Sequence, residues 1–177
     1  MELWDAIKGR RSVRSFVNKP VERAVLERLV EAAIWAPSGG NAQTWIFIVV
    51  DEKSRIEKIR AISPGLLGEP TALIVVCQDK DLAYKKGGEL GRDTLSVMDA
   101  AIASQNIALQ ASTEGLGSCL VLSFHKKGIQ KLLNLPEHIV PELLITLGYP
   151  AEDPKPPKRK YEEVTFFNEY QLNEHGK

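Results

Sequence analysis

The sequence predicts an α+β or α/β fold in which one sheet lies between helices. Three observations support this prediction. Four short, dense apolar runs have the length of buried strands. The segments between them place apolar residues at helical spacing. The length of 177 residues suits one domain with at most a tail, and such a domain can bury a sizeable core.

The first part of the chain begins with two predicted helices. The first is short, and its apolar side consists of Leu3, Trp4 and Ile7. The second begins with Pro20 near its first helical position and ends before Pro37, because proline is favoured at helix starts and cannot continue a helix. The apolar run Trp45–Val50 then predicts a first strand.

The middle of the chain predicts a brief helix over Ser54–Ile62 and a second strand over Thr71–Cys77. Asp81–Gly91 contains three glycines and many charges, which indicates a loop or mobile segment. Arg92–Glu114 predicts one long helix that is apolar over most of its circumference. A helix of that kind is buried, either in the core or against a partner subunit.

The last part predicts a third strand over Ser118–Phe124, a short helix over Lys126–Leu133 and a fourth strand over Glu142–Gly148. Asp153–Lys160 is rich in proline and positive charge, so it is expected to run extended over a surface. The tail over residues 161–177 contains aromatic side chains that need a cover, from a neighbouring subunit or from the chain's own core.

Composition excludes several classes of protein. The chain has 23 Lys plus Arg and 23 Asp plus Glu, so its charge gives no reason to expect a nucleic-acid partner. No segment has the apolar length of a membrane span or of a signal peptide, and we expect a soluble, cytoplasmic protein with no membrane partner. Cys77 and Cys119 lie in apolar runs and are interpreted as buried hydrophobic residues, not metal ligands.

A basic cluster follows the first helix. Arg10, Arg11 and Arg14 lie within five positions and surround Ser12. Arginine presents a fork of donors that matches phosphate oxygens, and serine adds a hydroxyl. The spacing alone favours the simpler interpretation, in which these are solvated cations at the carboxyl end of a helix, where they suit its dipole.

A polar loop, Ala36–Trp45, leads into the first strand. Its two glycines allow close approach of a ligand to the backbone, and Ser38, Asn41 and Gln43 supply neutral hydrogen-bonding groups. Taken alone, its pattern favours an ordinary helix-to-strand connection. The sequence has neither a Walker motif nor a Gly-rich dinucleotide fingerprint.

Five segments along the chain are informative together: Arg10–Arg14, Ala36–Trp45, the alanine-rich helix with its ending Glu114–Cys119, Leu147–Pro150 and Lys158–Lys160. They resemble the nitroreductase family of FMN-dependent NAD(P)H oxidoreductases, follow the family's order and span nearly the whole chain. The resemblance implies a three-layer α/β/α fold with a central mixed, mainly antiparallel sheet, in an intertwined homodimer. It also implies one domain over 1–177, with 151–177 as an arm that packs on the partner.

The resemblance assigns the cluster to FMN. Arg10, Ser12 and Arg14 match positions that bind the phosphate, the ribityl chain and the pyrimidine edge of the flavin, and Arg11 matches a neighbouring contact. Arg14 would support the negative charge of the reduced ring. Near the carboxyl terminus, Arg159, with Lys158 beside it, matches a basic residue that contacts the phosphate.

Two further segments match parts of the same site. Pro37, Ser38, Gly39 and Asn41 match a loop that reaches the flavin from the other subunit, and Gln43 matches its end. Leu122 and Ser123 match the strand end whose backbone lies beside the flavin ring near N5.

The implied reaction is hydride transfer from NADH or NADPH to FMN N5 and on to an electron-poor acceptor, such as a nitroaromatic, quinone or enone, with ping-pong kinetics. No side-chain acid or base is required, and the histidines at 125, 138 and 175 are interpreted as solvated or capping residues. Two alternatives remain open. One keeps the fold and FMN but changes the reaction, to reductive dehalogenation or flavin fragmentation; the other is a non-catalytic flavin-binding dimer. The segments 63–69 and 81–91 look trimmed, which leaves the acceptor open.

Overall fold

A computed structural model describes residues 2–158 and 160–170 of the chain. The helices are α1 (Leu3–Gly9), α2 (Arg23–Ile34), α3 (Lys53–Ala61), α4 (Lys80–Leu90), α5 (Ser96–Thr113), α6 (Lys126–Leu132) and α7 (Tyr161–Val164). The strands are β1 (Trp45–Val50), β2 (Ala72–Asp79), β3 (Gly117–Val121) and β4 (Ile139–Gly148). None of the described helices has the length and apolar character that a membrane crossing requires.

The four strands form one sheet in the order β1-β2-β4-β3, and every neighbouring pair is antiparallel. The predicted α+β class is therefore confirmed. Among the described residues, the expected mixed character is confined to an isolated parallel bridge between Ser12, which belongs to no named strand, and Ser118 of β3.

Both faces of the sheet are covered, because its central strands are apolar on both sides. One hydrophobic core joins α2 and α5 to the sheet and includes Leu29, Ile74 and Ile107. The other joins α3 and α6 to the opposite face and includes Ile59, Val75 and Ile129. The arrangement is the expected three-layer α/β/α sandwich.

The prediction of a loop over Asp81–Gly91 is wrong, because this segment forms α4. The carboxylate of Asp79 caps the helix by accepting a hydrogen bond from the backbone N–H of Leu82 at 2.8 Å. Ala83 is buried and gives α4 an inner side. The local cap and this packing keep the segment helical in spite of its glycines, except at Gly88, whose φ of +59° puts a kink in α4.

The long helix predicted over Arg92–Glu114 is present, but its start differs from the prediction. A π-helical turn over Gly91–Leu95 joins α4 to α5, so regular α-helix begins only at Ser96. α5 buries one side against the sheet and leaves the other exposed. Cover for the exposed side would have to come from outside the described chain.

Several predicted boundaries shift by a few residues. α2 begins at Arg23, so Pro20 precedes the helix. β3 ends at Val121, which leaves Leu122 and Ser123 beyond the strand. β4 begins earlier than predicted, since Pro141 is accommodated where a bulge interrupts the pairing with β2.

The carboxyl-terminal segment leaves β4 and runs without regular structure over 152–158, as the proline content predicts. α7 follows, and its Tyr161 and Val164 are exposed, as are Phe167 and Tyr170 beyond it. The described residues therefore provide no cover for these side chains, although the sequence analysis expects one. Arg159 and residues 171–177, with the histidine at 175, lie outside the described residues.

Candidate functional site

The basic cluster is anchored between the end of α1 and the start of β3. The N–H of Val13 donates to the carbonyl of Ser118 at 2.9 Å, next to the bridge that joins Ser12 and Ser118. Val13 is buried, and a Cβ atom on Gly117 would lie only 2.7 Å from its side chain. Glycine at position 117 therefore lets the cluster pack directly on the sheet.

The three arginines of the cluster have different surroundings. Arg11 donates through its guanidinium to the carbonyl oxygens of Lys8 and Arg10, so it caps the carboxyl end of α1. Within the part of the chain that the structure describes, the guanidinium groups of Arg10 and Arg14 have no hydrogen-bond or ion-pair partner. Arg10 is half-buried and Arg14 is exposed. Two cations are thus available to a ligand.

The segment after β4 lies across the cluster. Ala151 donates its N–H to the carbonyl of Ser15 at 2.9 Å. The carboxylate of Glu152 accepts from the backbone N–H groups of Arg14 and Ser15. Glu152 therefore fixes the backbone of the cluster and leaves the Arg14 guanidinium free. No pattern in the sequence predicts this role, because a lone acidic residue after a strand is not distinctive.

A cleft of about 190 Å³ opens beside the cluster. Arg10, Arg11, Gly115, Gly117 and Asp153 are among its lining residues. Pockets that enclose cofactor-sized ligands measure about 300–1,000 Å³, so this cleft in a single chain is too small to enclose a flavin nucleotide. A larger cavity of about 400 Å³ lies elsewhere in the chain, and no predicted site residue lines it.

A short loop over 65–68 connects the cluster to the end of β3. The N–H of Gly65 donates to the carbonyl of Ser123 at 2.9 Å. Gly68 has a φ of +74°, and a Cβ atom there would lie 1.9 Å from the carbonyl oxygen of Arg14. The loop thus brings Arg14 and Ser123 to one part of the molecule, with Leu122 exposed beside them. Gly65 and Gly68 are the sequence feature that could have indicated this close packing of the loop.

The polar loop over 37–43 adopts a strained conformation. Gly40, Asn41 and Gln43 have φ values of +57°, +53° and +50°, and such values are uncommon for residues other than glycine. Gln43 donates its N–H to the Ser38 hydroxyl at 3.0 Å and its side-chain amide to Asn41 at 2.6 Å. Backbone strain of this kind concentrates at functional sites.

The loop and the cluster form two separate groups within one chain. No hydrogen bond or ion pair between described residues joins the loop to Arg10, Arg14 or Ser123. Pro37 and Asn41 are exposed, and the loop rests on α4 and α5. Lys158 is exposed and has no ion pair within the described part of the chain. One chain therefore presents the predicted site in two parts.

Two further reactive side chains, Cys77 and His125, have structural roles. Burial raises the pKa of the Cys77 thiol to about 12, so this group stays protonated and is no nucleophile. The imidazole of His125 accepts a hydrogen bond from the Gly128 N–H at 2.8 Å and caps α6, as one of the two interpretations predicts. Neither group supplies an acid–base centre.

A family model described as the nitroreductase family matches residues 7–66 and 60–149 of the chain. The fold, the cluster and the strained loop all fall within this match. The chain therefore belongs to the nitroreductase family.

Individual relatives agree. The chain is 36% identical over 160 residues to a candidate NADH dehydrogenase/NAD(P)H nitroreductase of Methanothermobacter thermautotrophicus, covering 87% of this chain and 80% of the relative. It is 28% identical to an FMN reductase (NADPH) of Bacillus subtilis, covering 96% of this chain and 74% of the relative. An FMN-dependent nitroreductase from Clostridium difficile superimposes with a TM-score of 0.82 at 29% identity, covering 94% of this chain and 99% of the other.

Proposed function

We propose that this chain transfers hydride from NADH or NADPH, through bound FMN, to a small electron-poor acceptor such as a nitroaromatic, a quinone or an enone. The chain is an enzyme of the FMN-dependent NAD(P)H oxidoreductase class, as its family and the names of its relatives indicate. The nature of the acceptor and the order of steps are our proposal. The observation that carries it is a pair of arginines, Arg10 beside the cleft and Arg14 beside the exposed end of β3, whose guanidinium groups have no partner among the described residues.

The residues present fit a phosphorylated flavin. A phosphate needs cations and hydroxyl or N–H donors, and Arg10 and Ser12 offer both at half-buried positions. The carboxylate of Glu152 is already engaged by two backbone N–H groups, which limits its repulsion of a phosphate. Asp153 is the one acidic lining residue of the cleft that lacks such a partner in the described chain.

Roles for the chain's own residues follow from this arrangement. Arg10 and Ser12 hold the phosphate and ribityl end, with Arg11 beside them. The family resemblance adds Lys158 and Arg159 as supporting cations, of which Arg159 lies outside the described residues. Arg14 lies next to the loop that contacts Ser123, so it is placed to stabilise negative charge at the ring edge. Bound FMN would accept hydride from the nicotinamide and pass it to the acceptor. Exposed Leu122 would offer an apolar surface beside the flavin. Donor and acceptor that use this one site in turn would give ping-pong kinetics.

A homodimer would complete the site. α1 exposes Leu3, Trp4 and Ile7, and the outer side of α5 exposes Met98 and Ile102. Exposed apolar surface on adjacent helices is typical of a subunit interface. In such a dimer the loop 37–43 of one copy faces the cluster of the other, which would enlarge a cleft that is too small in one chain.

We also propose that the chain forms one domain whose segment from 151 onward is an arm lying on the partner subunit. The exposed side chains of Tyr161, Val164, Phe167 and Tyr170 support this placement. Their cover by a second copy would remove apolar surface from water, which favours association.

The alternative reactions are less well supported. Helix α4 is short and charged, with Tyr84 as its single aromatic residue. It therefore offers little of the aromatic lid that reductive dehalogenation would favour. A non-catalytic flavin carrier would need a site in which NADH and NADPH cannot reduce the bound flavin.

The experiment is an anaerobic stopped-flow titration of the FMN-reconstituted protein with NADH and then NADPH, followed by a panel of acceptors. We expect bleaching of the flavin by at least one nicotinamide and recovery of colour on addition of a nitroaromatic or quinone. A yellow protein that neither nicotinamide reduces would support the carrier. A colourless protein that gains no thermal stability from FMN would refute every flavin-based function.

A further inference from the structure

Two side chains from the helices behind the strained loop hold it in place. Asp99 of α5 accepts a hydrogen bond from the N–H of Gly39 at 3.1 Å. Lys86 of α4 donates to the carbonyl of Ala42 at 2.8 Å. The two contacts lie on either side of Gly40 and Asn41, where the φ values are positive. The loop is therefore fixed at both flanks of its strained centre.

The position of Asp99 is unusual for a carboxylate. It is only 4% exposed and lies on the inner side of α5, beside the fully buried Ala100 and Ala103. A buried carboxylate is unfavourable unless it is hydrogen-bonded. Among the described residues, the hydrogen-bond donor that reaches it is the N–H of Gly39. Packing alone would favour an apolar residue here, so the carboxylate is explained by the loop.

The contact lies directly after the π-helical turn that precedes α5. Leu95 ends this turn, Asp99 lies one turn further along the helix, and both side chains meet Gly39. A Cβ atom on Gly39 would lie 3.2 Å from the Cδ1 atom of Leu95, so glycine allows the loop to lie directly on the helix. Turns of this type are frequent at functional sites.

We infer that Asp99, together with Lys86, is a positioning residue for the flavin. It holds the loop 37–43 in the conformation that contacts the cofactor of the partner subunit, without touching the cofactor itself. Non-glycine residues persist at positive φ only when their surroundings impose it. Loss of either contact would let Asn41 and Gln43 relax away from the cofactor. The inference rests on the proposed function, because it assumes that this loop contacts FMN.

The test is a fluorescence titration of apo-protein with FMN for the wild type and four variants. Asp99→Ala removes the acceptor, whereas Asp99→Asn keeps an oxygen that can accept from Gly39. Lys86→Met removes the second contact from an exposed position, so it leaves the core intact. Ser104→Ala is the matched control, since Ser104 is a buried polar residue of α5 whose hydroxyl donates to Ala100 in its own helix.

We expect the Kd for FMN to rise about tenfold in Asp99→Ala and about fivefold in Lys86→Met. Asp99→Asn should stay within about threefold of the wild type and Ser104→Ala within about twofold. A general loss of stability would move Asp99→Ala and Ser104→Ala together and would give no recovery with Asp99→Asn.

Several results would overturn the inference. A folded Asp99→Ala with the Kd of the wild type would do so, as would an Asp99→Asn variant as weak as Asp99→Ala. If Asp99→Ala does not fold, Lys86→Met decides, and an unchanged Kd there overturns it. Binding of FMN by the wild type in these cases leaves the proposed function standing. A wild type that binds no FMN refutes both.

Discussion

Arg10, Arg11 and Arg14 show how far a residue's role depends on its surroundings. Arg11 caps α1 through two carbonyl oxygens, as the simpler interpretation of the cluster predicts. Arg10 and Arg14 have no such partner among the described residues. The spacing of the arginines in the sequence cannot distinguish a helix-capping role from a ligand-binding role. The role depends on where each guanidinium group points after the chain turns onto β3.

A first prediction follows for these residues. Arg10→Ala and Arg14→Ala should each raise the Kd for FMN by about tenfold or more, because each removes a charge-assisted contact. Arg14→Ala should also destabilise the reduced flavin by about 2–4 kcal/mol, by analogy with donors to a developing anion. Flavin titration and the reduction potential of the bound flavin measure the two effects.

Arg23→Ala is the control, since this arginine pairs with Asp51 and lies outside the cluster. It should leave flavin binding unchanged. Unaltered flavin retention in both cluster variants would show that the cluster does not bind the cofactor.

Among the elements, α4 is the one that the sequence misrepresents. Its glycines and charges are typical of a loop, yet the Asp79 cap and the burial of Ala83 make it a helix. The strands and the helices α1–α3, α5 and α6 agree with the prediction to within a few residues, because their apolar periodicity is strong. α7 lies in the tail, where no helix is predicted. Loop 65–68 and Asp99 were missed, since their roles depend on contacts distant in sequence, such as those of Gly68 with Arg14 and of Asp99 with Gly39.

A second prediction concerns the link between α2 and the end of α5. Arg28 donates two hydrogen bonds to the Glu114 carboxylate, and they lower the pKa of Glu114 from 4.5 to about 2. A lowered pKa in the folded state adds stability above the ordinary pKa, and this stability is lost as the pH falls through the folded value. Glu114→Gln should therefore be less stable than the wild type at pH 7 by about 0.5–1 kcal/mol, the size expected for a partly exposed pair.

Urea unfolding of both proteins between pH 7 and pH 2 measures this effect. The difference in the free energy of unfolding should shrink between pH 4.5 and about 2. A difference that stays constant across this range would show that the pair contributes no charge-dependent stability.

At the scale of the whole molecule, nothing within one described chain covers the exposed apolar sides of α1 and α5. The sequence predicts that the long helix is buried, either in the core or against a partner. The structure shows its inner side in the core, while Val97, Met98 and Ile102 on its outer side remain exposed. A partner surface is predictable from such a pattern, but its identity as a second copy is our proposal.

A third prediction follows from this surface. Ile102→Asp should convert a dimer to monomers, because it would bury an unpaired charge at the interface. The same variant should lose FMN affinity, since each site would then lack the loop of the second copy. Sedimentation velocity and flavin titration on one sample measure both.

Lys131→Asp on α6 is the matched control, because it changes charge on the opposite face of the sheet. It should remain dimeric and bind FMN normally. A monomeric Ile102→Asp that binds FMN as tightly as the wild type would argue against a shared site.

The most direct test of the account uses mixed dimers of two defective copies. One copy carries Arg10→Ala and Arg14→Ala, and the other carries Asn41→Asp and Gln43→Asp. Aspartate tolerates the positive φ at positions 41 and 43 but adds negative charge there. Each variant alone should bind FMN poorly. If the cluster of one copy and the loop of the other share a flavin, the mixed dimer regains one intact site, with the Kd of the wild type and reduction by NADH or NADPH. A mixed dimer that binds as poorly as both parents would place the whole site within one chain and contradict the account.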